Sequence, residues 1–440
     1  MPNILHRSAS RRTVGALSNL SRTRALTLRA LVLVAACLNP NHALPAAAAA
    51  PPTAPPRVFL FDAKYLQEAR LRLRRGDTNL APALAQLETD ARKALHNGPF
   101  SVMNKQKIPP SGDTHDYMSQ APYFWSNPGT SNGLPYIRHD GERNPEINGI
   151  SDHRSLDQEE DTVETLALAF YFTSDEVYAE KAAQLLRAFF LEPATLMNPN
   201  LQYAQAIIGV NTGRGTGLIE SRGLTRVVDS IGLLAGSKAW TETDQKGMQV
   251  WFGQFLHWMQ ESKNGRDEAA AKNNHGTYYD VQTASFALFL GDRTLATDLL
   301  KAVRQKRIVL QIEPDGRQPL ELVRTKAWSY SVGNLAGLMS LAVLGESAGV
   351  DLWRYQTADG RSISKALDYL APFALGRQQW PHQQIGGWPP QMLFPLLRQA
   401  ALKFPDQKYR EWVNELPPVK RSDRSMILHS RVTEPLDTNE

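Results

Sequence analysis

Pairs of apolar helical segments recur along most of this chain, and almost nothing between them has the alternating pattern of a β-strand. In the clearest pair, Glu159 to Phe172 is followed by Glu176 to Phe190, and Ser174-Asp175 between them is a typical turn and helix cap. Gly291-Asp292 separates a second pair that weakly repeats the first. Hairpins that recur in this way bury their apolar faces by stacking side by side. The pattern therefore predicts an all-α protein built as an α/α toroid rather than a bundle.

Further helices are predicted on both sides of these hairpins. They are two helices between Asp62 and Asn97, then Leu218 to Leu234, Glu242 to Met259, Val332 to Leu344, Ile363 to Leu375 and Met392 to Leu402. Residues 98–155 lack helical periodicity, and a loop of that length in a compact domain is typically functional or disordered. Its aromatic residues suit stacking on sugar rings, and each of them could equally well pack the loop itself. They are Tyr117, Tyr123, Trp125 and Tyr136.

Two polar clusters stand directly before apolar helical runs. The first, Lys272 to Asp280, gathers amides, an imidazole and two phenols where an apolar run begins at Val281. The second, Arg324 to Ser331, carries cationic and phenolic groups before the run from Leu335 to Leu344. A lone histidine is usually structural, but His275 has this second cluster as a partner. We therefore expect two helix starts that carry complementary chemistry.

An amide, an imidazole, a guanidinium and a phenol do not suit glycoside hydrolysis, which uses paired carboxylates. They suit β-elimination from a uronic acid, in which the C5 proton is removed and the C4 oxygen leaves. The carboxylate must first be neutralised, and Asn274 and Arg324 can do this by hydrogen bonding to it. His275 is a base or the partner of the base, and Tyr330 is the proton donor to the leaving oxygen. These four residues are the predicted catalytic set.

The segment Asn273 to Gln282, together with Arg324 to Tyr330, resembles the alginate lyase domain family. Pro135 to Glu146 resembles the stretch that precedes the core helices of that family, and the likeness continues in order from about Tyr117 to Leu344. The resemblance implies an incomplete (α/α) toroid of stacked helical hairpins that cleaves a polyuronate by elimination. Candidate substrate-binding residues in these motifs are Tyr136, Arg138, Asn273, Tyr278, Tyr279, Lys326 and Trp328.

The basic charge of the chain is confined to its beginning. The formal net charge is +5, from 49 Lys and Arg against 44 Asp and Glu. Six of the arginines and no acid lie in residues 1–50, so the remainder holds 43 basic against 44 acidic residues. This balance gives no reason to expect nucleic-acid binding. An anionic polysaccharide, the expected partner, would have to be bound by a local cluster of cations.

Residues 1–50 have the features of an export signal and a processing or tether region. Arginines up to Arg29 precede the apolar run Ala30 to Leu38, which is too short to span a membrane, and small residues follow through Ala50. A mitochondrial presequence is the alternative. Val34-Ala35-Ala36-Cys37 resembles a bacterial lipobox, which would place a lipid anchor on Cys37. We expect a periplasmic or secreted protein, or an outer-membrane lipoprotein.

The remaining chain divides into a catalytic domain at 57–415 and a polar C-terminal tail at 416–440, which we expect to be loose from Lys420 onward. Cys37 is the only cysteine, so the domain has no internal disulfide. No zinc-type Cys/His cluster occurs, and His275 lacks a second histidine at helical spacing. We expect no metal and no cofactor.

The glycine-rich segment Asn211 to Arg222 lacks the preceding strand and the lysine of a phosphate loop. Its Glu220 and Arg222 are expected to face the cleft or pair with each other.

The leading hypothesis is an exported lyase that cleaves alginate at mannuronate-type linkages. Mannuronate and glucuronate share their C5 configuration, so one tyrosine can be base and acid on the same face, and a glucuronan lyase is the nearest alternative. Guluronate would need His275 and Tyr330 on opposite faces. A noncatalytic glycan-binding surface protein would need neither residue.

A toroidal glycoside hydrolase is the remaining alternative. It would draw on an acidic cluster that we expect to be the solvated first turn of a helix. The cluster comprises Asp157, Glu159, Glu160, Asp161 and Glu164.

Overall fold

The computed structural model describes residues 54–429, which belong to one compact unit of helices with two small two-stranded sheets. The predictions for residues 1–50, including the anchor at Cys37, and for residues 430–440 lie outside this range. In chain order the α-helices are α1 Ala63–Arg74, α2 Ala81–Ala94, α3 Asp152–Thr173, α4 Glu176–Leu186, α5 Leu224–Leu233, α6 Glu242–Glu261, α7 Lys263–Ala269, α8 Asn274–Leu290, α9 Arg293–Val303, α10 Pro319–Leu322, α11 Ala327–Ala348, α12 Ile363–Ala374, α13 Phe394–Lys403, α14 Lys408–Asn414 and α15 Ser425–Leu428.

Helices α3, α5, α8 and α11 pack side by side in that order, and α4, α6 and α9 pack against members of this row. The row is parallel. At the start of α8 and α11, the Tyr278 hydroxyl donates to Gly333 O at 3.0 Å. At their far ends, Arg293 of the next helix donates to Ser347 O at 2.9 Å. This is the predicted incomplete (α/α) toroid of stacked hairpins, and its parallel row brings several helix starts to one face.

Helix α11 is the most apolar of the row. Among the described residues it is the one helix long and apolar enough to cross a membrane, but 67% of its apolar window is buried inside the protein. Its buried residues include Trp328, Leu335 and Leu338, which belong to the main hydrophobic core. Burial on nearly all sides accounts for an apolar composition without a polar face.

The predicted caps are confirmed. Ser174 ends α3 in the left-handed conformation with φ 63°, and the carboxylate of Asp175 accepts a hydrogen bond from Val177 N at 3.1 Å. Asp292 repeats the arrangement before α9 by accepting from Leu295 N at 2.9 Å. These short polar side chains satisfy backbone N–H groups that a helix start leaves unpaired.

The acidic cluster on α3 is not a solvated first turn, and that expectation is wrong. Helix α3 begins at Asp152, so Glu159 and Glu160 lie in its interior part and are buried, with relative exposures of 0% and 1%. Burial raises the pKa of Glu159 well above its usual range and that of Glu160 to about 8. Arg226 forms ion pairs with Glu160, Asp161 and Glu164 at 2.5–3.4 Å.

The long loop from 98 to 155 is ordered against the helix starts. Two short strand pairs hold it: β1 Met118–Gln120 runs parallel to β4 Tyr203–Ala206, and β2 Phe124–Trp125 runs antiparallel to β3 Ile137–Arg138. A buried ion pair of 3.1 Å between Lys105 and Asp152 ties the loop to the start of α3. The loop therefore forms a wall at the face where the parallel helices begin.

The C-terminal segment packs back on the first helices. Tyr65 of α1 donates its hydroxyl to Met426 O at 2.7 Å, and Arg424 pairs with Asp90 of α2 at 3.3 Å. Met426, Ile427 and Leu428 are buried in the main core. The predicted loose tail is therefore wrong for residues 420–429, because a short apolar stretch in a polar segment packs against a complementary surface formed by residues far away in the chain.

Candidate active site

The two predicted polar clusters meet at the starts of α8 and α11. Asn273 caps α8, and its side-chain oxygen accepts from His275 N at 3.3 Å. Thr277 and Tyr278 pack against Gly337, where an added Cβ would lie only 2.8 Å from the Thr277 side chain. The two helices run in the same direction, and Tyr278 bonds to Gly333 O at 3.0 Å, so the residues one turn before these two, His275 and Tyr330, lie at the same end of the pair.

His275 is held by Glu268 of α7. The imidazole Nδ1 lies 2.7 Å from Glu268 Oε1, and the side chains are 17% and 1% exposed. A charged hydrogen bond to Nδ1 fixes the orientation of the ring and leaves Nε2 for a ligand. Sequence reasoning did not find Glu268, because a turn between α7 and α8 breaks any helical spacing between the two residues.

Asn274 is bound to Glu321 of α10. Its backbone N and side-chain Nδ2 donate to the two carboxylate oxygens of Glu321 at 2.6 and 2.8 Å. Burial raises the pKa of Glu321 despite these two bonds. Nδ2 keeps one further N–H group, so the amide is positioned rigidly and can still donate to a ligand. Glu321 was also absent from the predicted set, although it lies just before Arg324 in the sequence.

Arg324 is bound to Asp140 of the long loop. Its Nε and Nη2 donate to the Asp140 carboxylate at 2.7–3.1 Å, and Thr325 N and Oγ1 donate to Asp140 Oδ2 at 3.2 and 3.1 Å. Burial alone would raise the pKa of Asp140, but the bonds from Arg324 and Thr325 hold it well below its usual range. We predicted that Arg324 would hydrogen-bond to the substrate carboxylate. Its Nε and Nη2 are already bonded to Asp140, so the prediction needs correction.

Tyr330 lies under Arg324. The guanidinium carbon is 3.8 Å from the centre of the phenol ring, and the Tyr330 hydroxyl donates to the Tyr123 hydroxyl at 2.9 Å. Burial and the bond to Tyr123 raise the pKa of Tyr330, whereas Arg324 lowers it. When Tyr330 loses its proton, the Tyr123 O–H group can reverse and donate to the phenolate. The geometry suits a phenol that gives up and regains a proton.

Three predicted substrate-binding residues lie at the rim of this site. Tyr136 is partly exposed and donates its hydroxyl to Glu146 at 2.8 Å. Arg138 is exposed and pairs with Asp140 at 2.6 Å. Lys326 is half-buried, and its backbone forms a bridge to Gln384 of a later loop. The long loop and the loop around Gln384 therefore both border this part of the site.

Two predicted substrate-binding residues are in the core instead, and those predictions are wrong. Tyr279 is buried, its hydroxyl donates to Met259 O at 3.1 Å, and burial raises its pKa to about 12. Trp328 is fully buried, and its Nε1 donates to Pro389 O at 2.8 Å. Each lies one residue from a polar neighbour in the sequence, and the turn of the helix directs it inward.

Three further residues named in the sequence analysis form hydrogen bonds within the protein. Asn273 caps α8 and Tyr278 bonds to Gly333, as described above, and both are partly exposed. Glu220 is buried and accepts from the hydroxyls of Tyr117 and Ser119 at 2.8 and 2.6 Å. Of its two expected placements, facing the cleft or pairing with Arg222, the pairing is not formed among residues 54–429. Within residues 54–429, no group of three or more His, Cys, Asp or Glu is arranged to hold a metal ion.

The family model described as alginate lyase matches residues 101–380. No match was found among curated proteins. The structure is similar to that of an alginate lyase from Bacteroides ovatus, with a TM-score of 0.82 and 39% sequence identity over 85% of this chain and 99% of that one.

Two more distant structures share the fold. Alginate lyase A1-III from Sphingomonas species A1 has a TM-score of 0.50 and 15% identity over 84% of this chain and 95% of that one. A variant of alginate lyase A1-III complexed with a tetrasaccharide has a TM-score of 0.55 and 15% identity, over 86% and 98% of the two chains. The family match extends over more than half of the sequence, and the chain belongs to the alginate lyase family of polysaccharide lyases.

Proposed function

We propose that this protein is an exported enzyme that cleaves alginate at mannuronate-type linkages by β-elimination. The observation that carries the proposal is the placement of Tyr330 between Arg324 and Tyr123, at the same end of the helix pair as His275. This arrangement supplies a phenol that can exchange a proton and a cation that stabilises its anionic form. The alginate lyase from Bacteroides ovatus, 39% identical, supports the choice of substrate.

The proposed reaction begins with neutralisation of the uronate carboxylate. The free N–H of Asn274 and the Nε2 of His275 are the groups available for it, because Arg324 is engaged by Asp140. Glu268 fixes the imidazole through Nδ1, and hydrogen bonds to the substrate carboxylate strengthen as negative charge develops on it. In this proposal Arg324 acts on Tyr330 rather than on the substrate.

Proton transfer then completes the elimination. The Tyr330 phenolate takes the C5 proton, the C5–H electron pair forms the C4=C5 double bond, and the C4–O bond breaks. The leaving oxygen takes the proton back from Tyr330, which leaves a 4,5-unsaturated uronate end and a new hydroxyl. One tyrosine serves for both transfers only when the C5 proton and the leaving oxygen are on the same face, as in mannuronate and glucuronate. Guluronate would need His275 as a base on the other face.

The hydrolase alternative is not supported by the geometry. A hydrolase needs two carboxylates facing the sugar. Glu159 and Glu160 are buried in the core, and Asp161 and Glu164 are bonded to Arg226. The carboxylates near the site each hold another protein group: Asp140 holds Arg324, Glu268 holds His275 and Glu321 holds Asn274.

The test is product absorbance in the ultraviolet with polymannuronate, polyguluronate, glucuronan and a neutral glycan as substrates. We expect unsaturated product from polymannuronate first, and none from the neutral glycan. Tyr330→Phe should lower kcat by about a thousandfold, because it removes the group that carries the proton. It should leave polymer binding nearly intact. Faster turnover of glucuronan would assign that substrate instead, and hydrolysis without absorbance would overturn the elimination mechanism.

Export is a separate part of the proposal, and it rests on the sequence of residues 1–50. We propose a periplasmic or secreted protein, with Cys37 as the site of a lipid anchor. Fractionation of bacterial cells that express the full chain tests this. The Cys37→Ala variant should move from the membrane to the soluble fraction if the anchor exists, and both proteins should be soluble if it does not.

A further inference from the structure

Arg214 is a partly buried cation at the edge of the active site, and its hydrogen bonds go to Gln205 and not to a carboxylate. Its Nη2 donates to Gln205 Oε1 at 2.8 Å and its Nε to Gln205 O at 3.2 Å. Among residues 54–429 no Asp or Glu forms an ion pair with it, in contrast to Arg138 and Arg324, which share Asp140. Burial and the neighbouring Arg138 lower the pKa of Arg214, and the nearby carboxylates of Glu220 and Glu268 offset part of this lowering. A guanidinium held in this way, with no hydrogen bond at Nη1, can bind an anion.

The glycine-rich segment around Arg214 packs its backbone closely against β4 and α7. A Cβ on Gly213 would lie 2.0 Å from Gln202 O, and one on Gly217 would lie 2.5 Å from the Ala204 side chain. A Cβ on Gly215 would lie 2.7 Å from Asn264 O and 3.1 Å from Glu268 N. Only glycine allows these approaches to β4 and α7. The segment fixes Arg214 in place, which gives a structural reason for its three glycines.

Gln205, which holds Arg214, has an unusual backbone. Its φ is 51°, in the left-handed region that few residues other than glycine and asparagine adopt, and its side chain is buried. Gln205 N donates to Ser119 Oγ at 2.7 Å, while the carbonyl and the side-chain oxygen both accept from Arg214. The strained conformation therefore directs two acceptors at a single guanidinium.

Arg214 lies between the long loop and the histidine. Its guanidinium is 5.2 Å from the centre of the Phe124 ring, and Phe124 pairs with Arg138 in the β2–β3 ladder. On its other side, Gly215 contacts Glu268, which holds His275. Arg214 and Arg138 thus form a cationic pair next to the site of reaction.

We propose that Arg214, positioned by Gln205 and assisted by Arg138, binds the carboxylate of a uronate residue adjacent to the one that reacts. This inference rests on the proposed function, because a polyuronate carries a carboxylate on every residue and only one of them is neutralised at Asn274 and His275. The neighbouring carboxylate would otherwise be desolvated in the cleft without a partner. Arg214 supplies that partner, and the substrate carboxylate gives Arg214 the direct ion pair that it lacks among residues 54–429.

The experiment compares Arg214→Ala with Arg75→Ala, which removes an exposed arginine after α1. The substrates are polymannuronate and the same polymer with part of its carboxylates reduced to alcohols. For Arg214→Ala on polymannuronate we expect KM to rise about tenfold or more, as for loss of a charged hydrogen bond, with kcat nearly unchanged. The rise should be smaller on the reduced polymer, and Arg75→Ala should match the wild type.

A second variant covers the case in which Arg214→Ala fails to fold. Gln205→Glu keeps the size of the side chain and gives Arg214 a carboxylate, so it should raise KM without lowering the melting temperature. An unchanged KM for Gln205→Glu, or an equal loss for Arg214→Ala on both polymers, would overturn the subsite. If the wild type makes no unsaturated product, the proposed function fails instead. Equilibrium binding of polymannuronate to the wild type and to Gln205→Glu would then still decide the role of Arg214.

Discussion

Removal of Arg324 tests whether its charge acts on Tyr330 or on the substrate. The guanidinium lies 3.8 Å from the ring centre. At an effective dielectric constant of about 20, two unit charges at this distance interact by about 4 kcal/mol, which is an upper limit here. The phenolate charge is centred farther out on the oxygen, and Asp140 offsets part of the cation. We therefore take about 1–2 kcal/mol, or roughly one pKa unit and about tenfold in the population of phenolate.

Arg324→Ala should raise the pKa of Tyr330, because Arg324 now lowers it. If the phenolate of Tyr330 is the base, kcat/KM rises with pH up to that pKa. The variant should be about tenfold slower than the wild type at neutral pH, and the difference should shrink as the pH increases. The measurement is kcat/KM on polymannuronate from neutral to alkaline pH, followed by absorbance of the unsaturated product.

Asp140→Asn is the matched control, because both substitutions break the ion pair between the long loop and Arg324. The charge of Asp140 raises the pKa of Tyr330, so its removal should shift the pH profile to lower pH, opposite to the shift for Arg324→Ala. Shifts in the same direction would mean that the lost ion pair, not the charge over the ring, causes the effect. A constant ratio of wild-type to Arg324→Ala activity at every pH would refute the proposed role.

Three further substitutions test other parts of the structure. Glu268→Gln removes the charge 2.7 Å from His275 Nδ1 but keeps the shape of the side chain. We expect kcat/KM to fall about tenfold to a hundredfold, with an unchanged melting temperature. A loss below about twofold would exclude Glu268 from the mechanism. Burial raises the pKa of Glu159, so the folded state retains a proton that the unfolded state loses above its ordinary pKa, and stability falls as pH rises. Urea unfolding should therefore show Glu159→Gln gaining more stability over the wild type at about pH 8 than at about pH 5, with the exposed Glu180→Gln unchanged. Ile427→Ala should cost about 2–4 kcal/mol of unfolding free energy, because Ile427 is fully buried, whereas a loose tail would give no loss.

Local features of the sequence determined the helices and the two polar helix starts. The turn at Ser174-Asp175, the cap at Asp292 and the apolar runs after Asp280 and Ser331 act over a few residues, so they can be read without knowledge of the fold. The chemical types in those starts were also enough to favour elimination over hydrolysis. The sequence alone thus predicted the helical architecture and most of the residues near the site.

Only the tertiary structure decided what those residues contact. Tyr330 bonds to Tyr123 across 207 positions and Arg324 to Asp140 across 184, and such pairs depend on how hairpins stack and where a long loop lies. The inward direction of Trp328 and the burial of Glu159 have the same origin, since helical periodicity shows which residues share a face but not what covers it. A cation becomes a substrate ligand, a support for a phenol or the partner of a loop carboxylate according to its neighbours in space.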